Sequence, residues 1–163
     1  MEIRKEILDI LTKDAKIANR HIAAMLGIEE AKVAEEIKAM EDEGIILRYS
    51  AVLNTEAMGD LAPAEAFIEL KVSPERDFGY NDIARRVYKF PEVTAVYLNS
   101  GRCDLIVKVE AKTMKAISQF VWEKLSVLEG VTSTATHFIL KKYKEKHLIF
   151  EKREEQEREY IFV

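Results

Sequence analysis

Leu98 to Phe120 reads LNSGRCDLIVKVEAKTMKAISQF, and this stretch decides the fold. The polar run Asn99–Asp104 is a turn of the kind that joins two antiparallel strands, because Asn, Ser, Gly and Asp tolerate tight backbone bends. Leu105, Val107 and Val109 then alternate with Ile106 and Lys108, which predicts a strand from Leu105 to Val109. Thr113 is a residue suited to cap a helix, and the helix it opens carries Met114, Ile117, Val121, Leu125 and Leu128 on one face. Trp122 falls beside this stripe, at an edge or an interface.

Working outward, Val93–Leu98 is the strand that enters the turn, and Pro91 closes the helix before it, which carries Ile83, Ala84 and Val87. Upstream again, Ala66, Ile68, Leu70 and Val72 alternate with charged neighbours as another strand. On the other side Gly130 ends the capped helix, and VTSTATHFIL (131–140) supplies a last strand. The order βαββαβ predicts one four-stranded antiparallel sheet with two helices on one face, a ferredoxin-like α+β domain. The bare second face of such a sheet calls for another subunit, so the pattern predicts a homodimer or a larger assembly.

Ahead of this domain the period changes. Ile3, Ile7, Leu8 and Leu11 predict a helix over residues 2–13, and Asn19 is placed to cap a second helix bearing Ile22, Ala23 and Leu26 that stops at Gly27. Val33, Ala34, Ile37 and Met40 predict a third, which Gly44 stops. Three helices in 44 residues with a tight turn at LGIEE match a helix-turn-helix, although small helical bundles without that role share the pattern. IILRYSAVL (45–53) is a β-rich run, long enough for a strand pair or for one extended connector, and MGDLAP (58–63) reads as the linker. The expected division is a helix-turn-helix domain with its connecting strand over residues 1–60, a ferredoxin-like domain suited to oligomerisation over 61–142, and a charged tail over 143–163 whose apolar end, YIFV, docks on a neighbour.

Composition narrows the function. With 163 residues, 48% hydrophobic and 33% charged, the chain is a folded protein of one or two small domains. It has no apolar run long enough for a membrane helix and no signal-peptide core, which predicts a cytoplasmic location. A single cysteine, Cys103, and three scattered histidines exclude a disulfide framework and structural zinc. Phosphate-loop, dinucleotide and zinc-protease motifs are missing, so no cofactor or metal is predicted. Cys103 and His137 fall on different elements with no third orienting residue, which favours packing or turn placement over a nucleophile and base. The net charge of −4 excludes a general basic coat for nucleic acid.

DAKIANRHIAAMLGIEEAKVAEEIKAMEDEGIILRYSAVLN (14–54) resembles the winged helix-turn-helix of the Lrp/AsnC, or feast/famine, transcriptional regulators. LNSGRCDLIVKVEAKTMKAISQF and LEGVTSTATHFIL (128–140) resemble the effector-binding, or RAM, domain of that family, with its glycine and aspartate turn and its GV-x-x-T-x-T strand. The resemblance spans almost the whole chain. It implies a sequence-specific regulator that binds double-stranded DNA through its N-terminal domain, senses a small amino-acid effector between RAM domains, and forms dimers that assemble into tetramers or octamers. No catalysis is implied.

One departure concerns charge. Where the family commonly has Ser at the start of the recognition helix and Arg about seven residues on, this chain has Glu29 and Glu36. From Glu29 to Glu43 seven acids face only Lys32 and Lys38, a balance that repels phosphate. The available DNA donors are Lys16, Arg20, Lys32, Lys38, Arg48 and Tyr49, and two escapes are open: the acids lie away from DNA, or several heads act together by avidity. The effector candidates are Asn99, Ser100, Gly101, Arg102, Cys103 and Asp104 with Thr134 and Thr136. Glycine lets backbone amides approach a carboxylate, Asp104 either takes an ammonium group or caps the turn, and Arg102 can meet a second carboxylate. An ordinary hairpin turn and β-favouring threonines are the competing account. A ligand site predicts that Asp104→Ala leaves the fold intact and removes the response. Two rivals stand beside this reading: a regulator whose head has lost DNA and serves assembly, and a subunit resembling siroheme decarboxylases, whose Arg- and His-rich stretches are not evident here.

Overall fold

The computed structural model describes residues 2–73 and 79–150. It divides into two compact units, after Leu53. In the first, α1 (Glu2–Leu11), α2 (Asn19–Leu26) and α3 (Glu30–Asp42) enclose Ile7, Leu11, Ile22, Ala23, Val33 and Met40. The turn between α2 and α3 depends on Gly27, whose φ of 67° is left-handed and whose N–H donates to the Ala23 carbonyl. Asn19 is the first residue of α2, and the cap position falls to Ala18 without a side-chain hydrogen bond. Ala34, expected on the apolar stripe of α3, is exposed, because the core face is centred on Val33, Ile37 and Met40.

Of the two readings of residues 45–53, the strand pair does not hold and the connector does: no strand forms there among the described residues. Ile46 packs on the helical core, while Leu47, at 87% exposure, Tyr49, Val52 and Leu53 point to solvent. A strand needs a ladder partner, and none is supplied to this segment within the unit. The expected linker at 58–63 is instead ordered as α4 (Thr55–Met58) and a single 3₁₀ turn (Gly59–Leu61) of the second unit.

The second unit has the predicted order: β1 (Ala64–Val72), α5 (Tyr80–Val87), β2 (Val93–Leu98), β3 (Leu105–Ala111), α6 (Met114–Phe120) and β4 (Val131–Phe138). The sheet order is β2-β3-β1-β4, antiparallel throughout, with Leu70 opposite Leu105 on one side and Thr134 on the other. Ala66, Ile68, Leu70, Leu105, Val107 and Val109 form one face and bury against Ile83 and Val87 of α5 and Ile117, Phe120 and Leu125 after them. Thr113 caps α6 by accepting the Ala116 N–H at 3.1 Å. The helix then widens into a π turn, Val121–Leu125, and ends there, five residues short of Gly130. Trp122 is 76% exposed, and Met114, predicted to be core, is also exposed. Gly130 serves the entry into β4: its φ is 86°, and an added Cβ would lie 2.8 Å from Ile83 Cδ1.

The predicted charged tail is ordered where it begins. Lys144–Glu145 (β5) and Leu148–Ile149 (β6) form a hairpin, and Phe150 is buried. Lys142 and Glu145 reach the sheet face opposite the helices, where Lys142 pairs with Glu65 and Lys108 lies 2.8 Å from Glu65 and 3.4 Å from Glu145. Residues 151–163, including the YIFV end, lie outside the described residues.

Candidate functional site

In the helical unit, the 100° step of a helix sorts the side chains of α3. Val33, Ile37 and Met40 face the core, and Ala31, Glu35, Lys38 and Asp42 project from the opposite side. Glu36 and Glu43 lie on the flank next to α1, where Arg4 holds both: Nε donates to Glu36 at 2.7 Å and Nη1 to Glu43 at 2.8 Å. Lys32 pairs with Glu35 at 3.0 Å and Glu36 at 2.9 Å, and Lys38 pairs with Asp42 at 3.1 Å. The Lys32 ammonium and then the Arg4 guanidinium hold the Glu36 carboxyl below the usual carboxylate range. Much of the negative charge counted along this helix is therefore matched within the unit.

The six DNA candidates are scattered over this surface. Lys16 sits in the turn after α1, where its N–H donates to Asp14 at 2.9 Å, and Arg20 is in the first turn of α2. Arg48 is exposed beyond α3, and the Tyr49 hydroxyl donates to Glu41 at 2.9 Å; burial and then this carboxylate push the phenol up. Sequence reasoning missed Arg4, because nothing in an amphipathic helix announces which distant acid its arginine will meet.

In the second unit the turn Asn99–Asp104 is a built structure. The Asn99 N–H donates to the Asp104 carbonyl at 2.8 Å, and its Nδ2 donates to Cys103 O at 3.2 Å and Sγ at 3.3 Å. That amide lies over Gly101, where a Cβ would stand 2.9 Å from Nδ2. Cys103 is buried beneath, and Ser100 and Gly101 are exposed. The Asp104 N–H donates to Leu70 O, and Asp104 Oδ2 accepts the Val72 N–H, both at 2.9 Å. Arg102 crosses to the face away from the helices and donates to Glu69 through Nε at 3.1 Å and Nη2 at 2.9 Å. Glu69 also lies 3.4 Å from His137 Nε2, and its carboxyl is held below the usual range chiefly by Arg102.

The register places the threonines. Thr134 is opposite Leu70, so it and the Asp104 turn flank the same residue of β1, one strand to either side. Thr136, opposite Ile68, is two residues further from the turn. Thr132 is nearer the turn end and donates to Lys71 O at 3.1 Å. Sequence reasoning missed Glu69 and Glu65, since a charged residue alternating with apolar ones on a strand carries no sign of what its outer face meets. Among the described residues no cluster suited to hold a metal ion occurs, and no helix is long and apolar enough to cross a membrane.

Residues 2–46 match a family model described as winged helix-turn-helix DNA-binding, and residues 65–149 match the Lrp/AsnC ligand binding domain. The HTH-type transcriptional regulator YugG of Bacillus subtilis is 40% identical over 157 residues, covering 96% of this chain and 95% of that protein. The HTH-type transcriptional regulator FL11 of Pyrococcus furiosus is 35% identical, over 88% of this chain and 91% of its own length. Among solved structures, a Neisseria meningitidis transcriptional regulator in complex with L-Met superposes with a TM-score of 0.72 at 26% identity, covering 89% of this chain and 92% of that one. With a DNA-binding head and a ligand-binding domain that together span nearly its described length, this chain belongs to the Lrp/AsnC family of transcriptional regulators.

Proposed function

We propose that the chain is a cytoplasmic regulator that binds a small amino acid at the turn Asn99–Asp104 and, through that ligand, changes how its protomers assemble on double-stranded DNA. The observation that supports the site is that Ser100 and Gly101 expose turn backbone beside Asp104, with Thr134 across β1 at the same end of the sheet. The turn amides suit an α-carboxylate. Asp104 has one oxygen committed to Val72 and a second, Oδ1, suited to an α-ammonium group, while Arg102, a candidate for an anionic side chain, would first have to leave Glu69. The Neisseria relative bound to L-Met supports an amino acid as the ligand class.

The DNA side of the reading rests on Lys16, Arg20, Lys32, Lys38, Arg48 and Tyr49 around α3. The pairing of Glu36 and Glu43 with Arg4 favours a DNA-binding head over one retained only for assembly. Phe67, Tyr97 and Ile106 on the outer sheet face supply the apolar contact for a homodimer, from which tetramers or octamers build. The head in this reading ends at Leu53 and the effector domain begins at Asn54, taking in the hairpin of the tail. No catalytic step belongs to this reading.

Fluorescence anisotropy on the chain's own promoter fragment, over a salt series and a panel of amino acids, tests it. Promoter-selective binding that weakens with salt and shifts with one amino acid is expected. A folded oligomer that binds no DNA at low salt, with or without any amino acid, would overturn the reading.

A further inference from the structure

We infer that Glu35 is a base-reading residue, and that its carboxylate selects a cytosine in the major groove of the DNA site. In a helix-turn-helix the second helix of the motif enters the major groove, and its N-terminal half meets the base edges. On α3 the side turned away from the core presents, in that half, Ala31, Ala34 and Glu35, all exposed. Two alanines let the backbone approach closely; Lys32, exposed on the same half, can only donate, which leaves Glu35 as the side chain there long enough to reach a base and able to accept from it.

A carboxylate can only accept hydrogen bonds, and this limits its partners. In the major groove the donors are the amino groups of cytosine and adenine. The adenine N6 amino group lies between two acceptors, its own N7 and O4 of the paired thymine, both of which repel an anion. The cytosine N4 amino group has an acceptor on one side only, O6 of the paired guanine, and a C–H on the other. Cytosine is therefore the base a carboxylate tolerates best. The ion pair of Glu35 with Lys32 does not block this, because it is an exposed pair three residues apart on one helix, a type that contributes little. Lys32 keeps Glu36 as a partner at 2.9 Å when Glu35 turns to a base. The acidity of this helix then has a use: at position 35 the charge lowers affinity for DNA in general and raises discrimination.

The test is selection of binding sites from a random duplex library by the full-length protein and its E35Q and E35A variants, followed by anisotropy on the selected site and its single-base changes. The wild type is expected to select cytosine at one position of each half-site and to lose about tenfold or more in affinity when that base is changed. E35Q is expected to move the preference to adenine, since an amide pairs with N6 and N7. E35A is expected to bind random DNA more tightly while losing discrimination at that one position. If Glu35 is only a solvated acid, E35A tightens binding to every sequence and keeps the wild-type preferences, which overturns the inference. Selection of no sequence by the wild type overturns the DNA reading beneath it, a result distinct from an unchanged E35A profile. Circular dichroism confirms that each variant, altered at an exposed position, is folded.

Discussion

Asp104 Oδ2 accepts the backbone N–H of Val72 at 2.9 Å, so a side chain of the turn before β3 fastens the far end of β1. This makes Asp104 structural as well as a ligand candidate, so the alanine variant is expected to remain folded but to be less stable. Asp104→Ala strips a partly buried N–H of its acceptor and is expected to cost about 1–2 kcal/mol, seen as a melting temperature lower by a few degrees. Asp104→Asn keeps an acceptor oxygen for Val72 but loses the charge, and is expected to melt near wild type while no longer responding to an amino acid. Thermal melts with and without the effector separate the two roles. Equal melting of both variants would remove the structural one.

Arg4 makes a prediction about DNA that does not involve a DNA contact. It joins Glu36 and Glu43 across the gap between α1 and α3. Arg4→Met leaves those carboxylates with less compensation beside the recognition helix, so affinity for promoter DNA is expected to fall several-fold at low salt and to approach wild type as salt screens the charge. A salt series of anisotropy titrations on both proteins measures this. Loss of affinity that is independent of salt would point to a folding defect instead.

The βαββαβ order was legible because strand alternation, Thr113 and the polar turn act locally. The strand-pair reading of residues 45–53 misled for the converse reason: Leu47, Tyr49 and Val52 have β propensity, but propensity does not provide a ladder partner. At the candidate sites the turn Asn99–Asp104 could be read from its residue types. What its side chains do could not, since Asp104 meets Val72 and Arg102 meets Glu69 more than thirty positions away. The seven acids of the third helix show the same limit. Their number is a property of the sequence, but the pairing of Glu36 and Glu43 with Arg4 depends on helix packing.

The Glu36 carboxyl, held low by Lys32 and Arg4, ties the stability of the helical unit to pH. A folded-state value below the unfolded one means that the contribution is fully present above the ordinary carboxylate value of about 4.3. It is lost as pH falls through the depressed value. Chemical unfolding of the full chain between about pH 6 and pH 2.5, followed by a probe in the N-terminal unit, should show stability declining at the acid end. Glu36→Gln should flatten that decline and start lower at neutral pH. An acid limb of unchanged slope in Glu36→Gln would assign the linkage to other carboxylates.

The C-terminal hairpin is held by charge in a place where charge is costly. Glu65 is 6% exposed, and Lys108 and Lys142 converge on its carboxylate, with Glu145 of the hairpin closing the group. Removing a partner from so buried a set leaves the others uncompensated. Glu65→Gln leaves two ammonium groups facing a neutral amide and is expected to cost about 2–3 kcal/mol in the stability of the second unit. It should also loosen the hairpin, since it removes one of two charge links, Lys142 to Glu65, and leaves only Glu145 to Lys108. Lys144 and Lys146 are already exposed, so once the backbone around them is loosened limited trypsin digestion should clip the C-terminal segment faster than in the wild type, ahead of the rest of the domain. Lys142→Met keeps an apolar stem over the sheet and leaves Glu65 paired with Lys108, so its effect should be in the same direction and smaller. Equal digestion of the wild type and Glu65→Gln would show that the packing of Phe150, not the charge cluster, holds the hairpin down.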